Sequence, residues 1–142
     1  MRKYSKQREA ILTLLASRTD HPTAETLYHD LRESMPRISL GTVYRNLMLA
    51  ARDGDILRLP CADGIDRFDG TIAEHYHVQC TCCHRVMDIP SLCGIMLDAH
   101  ADAHFQGTIS GHSLMFYGTC EDCQPALSEN SNIFLQNFTK SS

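Results

Sequence analysis

The chain has 142 residues, 43% of them apolar, a net charge of −4, seven cysteines and eight histidines. That length suits one ordinary domain or two small ones. No basic-then-apolar leader and no long uncharged apolar run occurs, so neither secretion nor a transmembrane span is indicated, and the expected location is the cytoplasm, where paired cysteines bind metal more often than they form disulfides.

Charge divides the chain. Residues 1–60 carry ten Lys/Arg against seven Asp/Glu, whereas residues 61–142 carry three against ten. A basic half joined to an acidic half rich in His and Cys suits a polyanion-binding module coupled to a cation-binding one.

From Ser5, a capping residue, Ile11, Leu12, Leu14 and Leu15 form an apolar face at helical spacing. A second helix is expected from Thr23, through Leu27, Tyr28 and Leu31, to a stop at Pro36. A third starts at Ser39 and runs to Asp53-Gly54, with Val43 and Leu47 inward. Ser39, Thr42, Tyr44 and Arg45, with Asn46 beside them, then offer donors to phosphates and base edges, and Arg45 is the candidate for reading a base. Ile56–Leu59, the turn Asp63-Gly64 and Ile65–Phe68 read as a two-stranded hairpin. Three helices followed by a hairpin make a winged helix-turn-helix.

In the second half, His75 and His77 alternate with Tyr76 and Val78, so a strand there presents both imidazoles on one side. Asp69 upstream and Asp88, in the strand Val86–Ile89, can each add a carboxylate oxygen. A set of imidazoles and carboxylates without thiolate favours Fe(II) or Mn(II). Cys80-Thr-Cys-Cys83 and Cys120-Glu-Asp-Cys123 are two C-x2-C knuckles whose four thiolates suit a closed, structural Zn(II) site. Cys82 competes with Cys83 by position, although Cys80 with Cys83 has the usual loop length. Cys61 and Cys93 read as small buried or half-exposed thiols.

A helix from Leu92 to Phe105, opened by Ser91, puts His100 and His104 four residues apart, where with His112 they offer a further metal site. Strands at 86–89 and 108–117 with that helix between them make a small α/β module that buries Ile109, Leu114, Phe116 and Tyr117. A pairing surface on it would make the homodimer that spans two DNA half-sites. Near the end, Ile133, Phe134, Leu135 and Phe138 suggest a short docked helix.

His21-Pro-Thr-Ala-Glu, Ile38-Ser-Leu-Gly-Thr-Val-Tyr-Arg-Asn-Leu47, Arg67-Phe-Asp69, His75-Tyr-His-Val-Gln-Cys80 and the two knuckles stand in an order that resembles the ferric uptake regulator family, from about Ser5 to Cys123. The resemblance implies an α+β chain: a winged-helix DNA-binding domain over residues 1–69, a hinge at 70–74, a metal-binding dimerisation domain at 75–125 and a tail at 126–142. It also implies a dimeric, metal-dependent repressor of a palindromic double-stranded DNA operator, not an enzyme. The matching regulatory positions are His21, Asp69, His75, His77 and Asp88, which looks like the peroxide-sensing branch. Iron sensors tend to place glutamates at the two aspartate positions, and zinc sensors often place cysteine at that of Asp69. In the peroxide-sensing branch, peroxide acting on bound Fe(II) oxidises a liganding histidine, by resemblance His21 or His75. Mn(II) supports DNA binding with much less reaction.

Two departures stand out. The chain starts at what is usually the family's second helix, and Gly41 stands where alanine is frequent in the recognition helix. The rival readings are an iron- or zinc-responsive repressor of the same family, a zinc-stapled protein-interaction module, and a zinc hydrolase or deaminase. The last has no H-x-E or H-E-x-x-H motif to hold its catalytic carboxylate.

Overall fold

The computed structural model describes residues 5–90 and 96–124. Helix α1 spans Lys6–Ala16, α2 Ala24–Leu31 and α3 Leu40–Arg52. Each begins as its sequence dictates: the hydroxyls of Ser5, Thr23 and Ser39 accept the amide N–H three residues on, satisfying a donor that the first turn leaves open. Helix α2 ends at Leu31, short of the expected stop at Pro36. The chain closes there into turns, with the amides of Ser34 and Met35 donating to the Leu31 carbonyl.

Strands β1 (Leu57–Leu59) and β2 (Arg67–Asp69) pair antiparallel, with Arg58 opposite Phe68. The turn between them holds Gly64 at φ 76°, a conformation that suits glycine. Ile11, Leu15, Leu27, Leu31, Ile38, Val43, Leu47, Ala50, Ile56 and Phe68 form one continuous core. Phe68, wholly buried, locks the hairpin onto the helices, and its amide donates to the Pro22 carbonyl at 3.0 Å. Strand β2 is thereby fixed against the turn that carries His21.

The second sheet has the order β4-β3-β5. Strand β3 (Tyr76–Cys80) lies between antiparallel β4 (Val86–Ile89) and parallel β5 (Met115–Gly118), and α4 (Leu97–Ala103) lies on the connection from β4 to β5. The expected helix over 92–105 is thus shorter within the described residues, and the expected strand over 108–117 begins only at Met115. Before it, the Ile109 amide is held by Asp102 and His112 by Asp98, so this segment bonds to the helix region rather than to a sheet. Leu114, Phe116 and Ile109 are only half-buried and Tyr117 is 53% exposed, so the module does not cover these side chains by itself. The expected tail helix and Cys93 lie outside the described residues.

Candidate metal centres

His21, Asp69, His75, His77 and Asp88 each bring one ligand atom into a group in which all five lie within 4.8 Å of one another. Their positions come from four different segments. His21 ends the α1–α2 connection, Asp69 closes β2, His75 and His77 flank and enter β3, and Asp88 lies on β4, opposite His77 in the ladder. Asp69 Oδ2 lies 3.2 Å from His21 Nε2, 2.9 Å from His75 Nε2 and 3.0 Å from His77 Nε2. Asp88 Oδ1 faces the same three nitrogens at 2.8, 3.3 and 3.4 Å. Ligands about 2.1 Å from one centre, at right angles to each other, lie roughly 3 Å apart, so these separations fit a single ion. The donors are nitrogen and oxygen throughout, which suits Fe(II) or Mn(II) more than a thiolate-rich set would.

Backbone carbonyls aim the imidazoles. His21 Nδ1 donates to the Val86 carbonyl at 3.2 Å and His75 Nδ1 donates to the Ala73 carbonyl at 2.6 Å. With Nδ1 carrying a proton, each ring's Nε2 faces the carboxylates either as an imidazolium N–H or as a lone pair for a metal, the usual way an outer contact sets a ligand's tautomer. Asp69 is oriented by an Asx turn, its Oδ1 accepting the Thr71 amide at 2.8 Å.

The charges follow from this crowding. Burial opposes the charge on His21, but the Asp69 and Asp88 carboxylates outweigh it and raise its pKa. Burial likewise opposes charge on His75, yet the Ala73 carbonyl and the same carboxylates raise it. For Asp69, burial opposes ionisation while His21, His77, the Thr71 amide and His75 hold the carboxyl far below the usual carboxylate range. Three of the ligands, His21, Asp69 and His77, are buried, whereas the side chain of Asp88 is 56% exposed and marks the solvent side of the site. His21 also sits at φ 50° before Pro22, and His84, next to the cysteine knuckle, at φ 63°. Among described non-glycine residues only these two have positive φ; one is a candidate metal ligand and the other follows one, Cys83, at sites where strained backbone is often retained.

Cys80, Cys83, Cys120 and Cys123 form the second group of ligand atoms. Cys83 Sγ and Cys120 Sγ lie 3.7 Å apart, close to the roughly 3.8 Å expected of two sulfurs on a tetrahedral zinc. The Cys120 amide donates to Cys80 Sγ at 3.4 Å, and amides from Cys120 and then Cys83 lower the Cys80 thiol to about 6. Contact with Cys120, then Cys82, raises the Cys123 thiol, as expected where several sulfurs crowd and negative charge needs a cation. The competition between neighbouring cysteines resolves in favour of Cys83: Cys82 is exposed and stands outside the group of four.

The expected further site does not assemble. His104 Nδ1 donates to the His100 carbonyl at the end of the helix and its ring lies 4.9 Å from that of His100, but His112 Nδ1 bonds Asp98 at 2.7 Å, and the three imidazoles form no ligand group among the described residues. On α3, Tyr44 and Arg45 are exposed. Ser39 and Thr42 share a hydroxyl contact of 2.9 Å at the helix start, and Asn46 turns back to the Thr42 carbonyl instead of pointing outward. Sequence reasoning did not single out the Val86 and Ala73 carbonyls, which no residue type announces, or the Thr71 amide, which Asp69-Gly70-Thr71 does foreshadow as a turn.

A winged-helix module joined to a sheet domain, with one N/O ligand set spanning both and one four-sulfur set beside it, defines a metal-binding protein of the winged-helix class. The ferric uptake regulator family model matches residues 2–117, and the chain belongs to that family. It is 36% identical over 124 residues to the peroxide-responsive repressor PerR of Staphylococcus saprophyticus, covering 86% of this chain and 82% of that protein. It is 35% identical over 124 residues to the peroxide operon regulator of Bacillus subtilis, covering 85% and 83%. Among solved structures, the peroxide stress regulator of Campylobacter jejuni superposes with a TM-score of 0.70 at 28% identity, covering 82% of this chain and 88% of that one.

Proposed function

We propose that this chain is a metal-dependent repressor that responds to hydrogen peroxide, working as a homodimer on a palindromic double-stranded DNA operator. The observation that carries the reading is the convergence of three imidazole Nε2 atoms on one Asp69 oxygen, with Asp88 opposite, in a site without thiolate. The peroxide response named for the relatives supports it.

In this reading residues 1–69 form the DNA-binding domain, 70–74 the hinge, 75–125 the metal-binding dimerisation domain and 126–142 a tail. Ser39, Thr42, Tyr44 and Arg45 face DNA. His21 belongs to the first domain, while His75, His77 and Asp88 belong to the second, with Asp69 at the boundary. His21, Asp69, His75, His77 and Asp88 would together hold Fe(II) or Mn(II), and by closing on it would tie the domains and set two recognition helices at half-site spacing, so that metal binding and DNA binding are linked by a coupling free energy. Fe(II) held there would supply the electrons that reduce hydrogen peroxide, one peroxide oxygen leaving as water, and the rings of His21 and His75, whose Nε2 atoms face the site, would take up the other oxygen. An oxidised imidazole is a poor base; its Nε2 leaves the ligand set, the tie opens and the protein leaves its operator. The exposed Asp88 carboxylate gives peroxide a way in.

Cys80, Cys83, Cys120 and Cys123 hold a structural Zn(II) that staples the end of β3 to the segment after β5. The half-buried Phe116 and exposed Tyr117 on edge strand β5, with half-buried Leu114 just before it, supply the pairing surface. No helix among the described residues is long and apolar enough to cross a membrane, and in this reading the regulator works in the cytoplasm. The protein is a regulator and not an enzyme.

Titrating operator duplex with Mn(II)-loaded, Fe(II)-loaded and metal-free protein across salt concentrations tests this. Binding that requires the metal and weakens with salt supports it. Equal binding by metal-free protein contradicts it.

A further inference from the structure

Gln79 lies on β3 between the metal ligand His77 and the zinc-site ligand Cys80, and it is 1% exposed. A buried amide must find partners, and this one finds them in two places that the metal sites do not explain. Its Oε1 accepts the Ala62 amide at 3.1 Å, and its Nε2 donates to the His84 carbonyl at 3.4 Å. Ala62 belongs to the turn that joins β1 to β2, the tip region of the wing. His84 follows Cys83 in the cysteine knuckle, and its amide donates to the Cys80 carbonyl at 2.9 Å.

A second strap runs beside the first. Arg67, on β2, donates from Nη1 to Asp63 Oδ1 at 2.6 Å and to the Ile65 carbonyl at 2.7 Å, and from Nη2 to the same His84 carbonyl at 3.4 Å. The wing turn is therefore held from within by Arg67 and Asp63 and fastened to the knuckle through one carbonyl. His84 takes positive φ, uncommon for a residue with a side chain, and the two donors converge on its carbonyl.

We propose that Gln79 is a positioning residue that fastens the wing turn to the four-cysteine knuckle, so that wing placement, and with it DNA affinity, depends on the knuckle's shape independently of the regulatory metal. This rests on the DNA-binding reading above. In that reading the four-cysteine site does more than hold its own domain together: it sets the angle of the wing, while the five-ligand site sets the angle of the recognition helix.

The test uses the full chain with its structural metal retained. Gln79→Met keeps the volume and removes both hydrogen bonds; Arg67→Met, at a largely buried side chain outside the hydrophobic core cluster, removes the other strap and serves if the first variant fails to fold. Four quantities are read on each: amide hydrogen exchange at residues 61–64, Mn(II) affinity by titration, zinc content, and affinity for a duplex enriched from a random DNA pool by the Mn(II)-loaded unsubstituted protein. The expected result is exchange at Ala62 faster by about fivefold or more, duplex binding weaker by a similar factor, and Mn(II) affinity and zinc content unchanged. A merely structural role would speed exchange throughout the chain and lower Mn(II) affinity, zinc content and duplex affinity together, and that outcome overturns the proposal, as does unchanged Ala62 exchange or unchanged duplex affinity in both variants. Failure of the unsubstituted protein to enrich any duplex sinks the DNA-binding reading and the wing's proposed role with it, whereas the exchange arm separately reports whether the strap exists.

Discussion

His21 Nε2 stands 2.8 Å from Asp88 Oδ1 across 67 residues of sequence. One residue ends the connection between the first two helices and the other lies on an edge strand of the second sheet, so a single contact spans the two halves of the molecule. Replacing His21 with alanine removes the one member of the five-residue group that comes from the helical region, because Asp69, His75, His77 and Asp88 all lie on or beside the strands. Mn(II) affinity, measured by titration against a competing chelator, is expected to fall at least ~100-fold, beyond what loss of an outer contact costs. DNA affinity in Mn(II) should fall to that of the metal-free protein while the zinc content stays unchanged.

The site's charges predict opposite pH responses for the free and loaded forms. In the metal-free protein the pKa values of His21 and His75 are raised, so their contribution to stability is complete below their unfolded value, about 6.5, and is lost as pH rises through the folded values. Asp69 is depressed, so its contribution is present above about 3.9 and is lost as pH falls towards its folded value. Metal binding requires the imidazole Nε2 atoms free of protons. Melting temperature of the metal-free form should therefore decline between pH 6 and 8, while apparent Mn(II) affinity rises over the same range. Calorimetry in buffers of different ionisation enthalpy should register about one to two protons released per ion. A melting temperature that climbs with pH without metal would contradict this account of the site.

Gly70 follows Asp69 where the chain passes α1. A Cβ there would lie 3.2 Å from the Ala16 Cα and 3.3 Å from both the Ala16 nitrogen and the Leu15 carbonyl oxygen, all backbone atoms that cannot swing aside. Gly70→Ala is expected to cost about 1–2 kcal/mol of stability, as overpacking does, and to weaken Mn(II) binding by displacing Asp69. Thermal melts and metal titration check both; an unchanged metal affinity would show that the Asp69 loop accommodates the methyl group.

Cys123→Ser leaves three thiolates for a site built for four. Zinc content, read with a chromogenic chelator after thiol blocking, should fall sharply, and the sheet domain should melt earlier because the metal's binding energy is part of its folding energy. Cys82→Ser should change neither quantity, since Cys82 is outside the group of four.

Helix starts were legible because a cap is local: Ser5, Thr23 and Ser39 each stand where their hydroxyl finds an amide three residues on. The end of α2 and the start of β5 were not, because turns around Leu31 and the contacts of Asp98 and Asp102 depend on tertiary partners. His75 and His77 announce themselves by alternation, and Asp69 and Asp88 by proximity to them. His21 was placed by family resemblance alone, since no periodicity connects it to a sheet so far along the chain. Gln79 carries no signal in the sequence, and its buried amide gains significance only from where the wing turn sits.

Fe(II)-loaded and Mn(II)-loaded protein exposed to the same hydrogen peroxide and mapped by peptide mass spectrometry tests the central claim most directly. The account predicts an added oxygen on the peptide carrying His21 or His75 in the iron form alone, appearing in step with DNA release. Release without oxygen at either residue, following loss of the metal only, would contradict it and leave a repressor that senses metal occupancy.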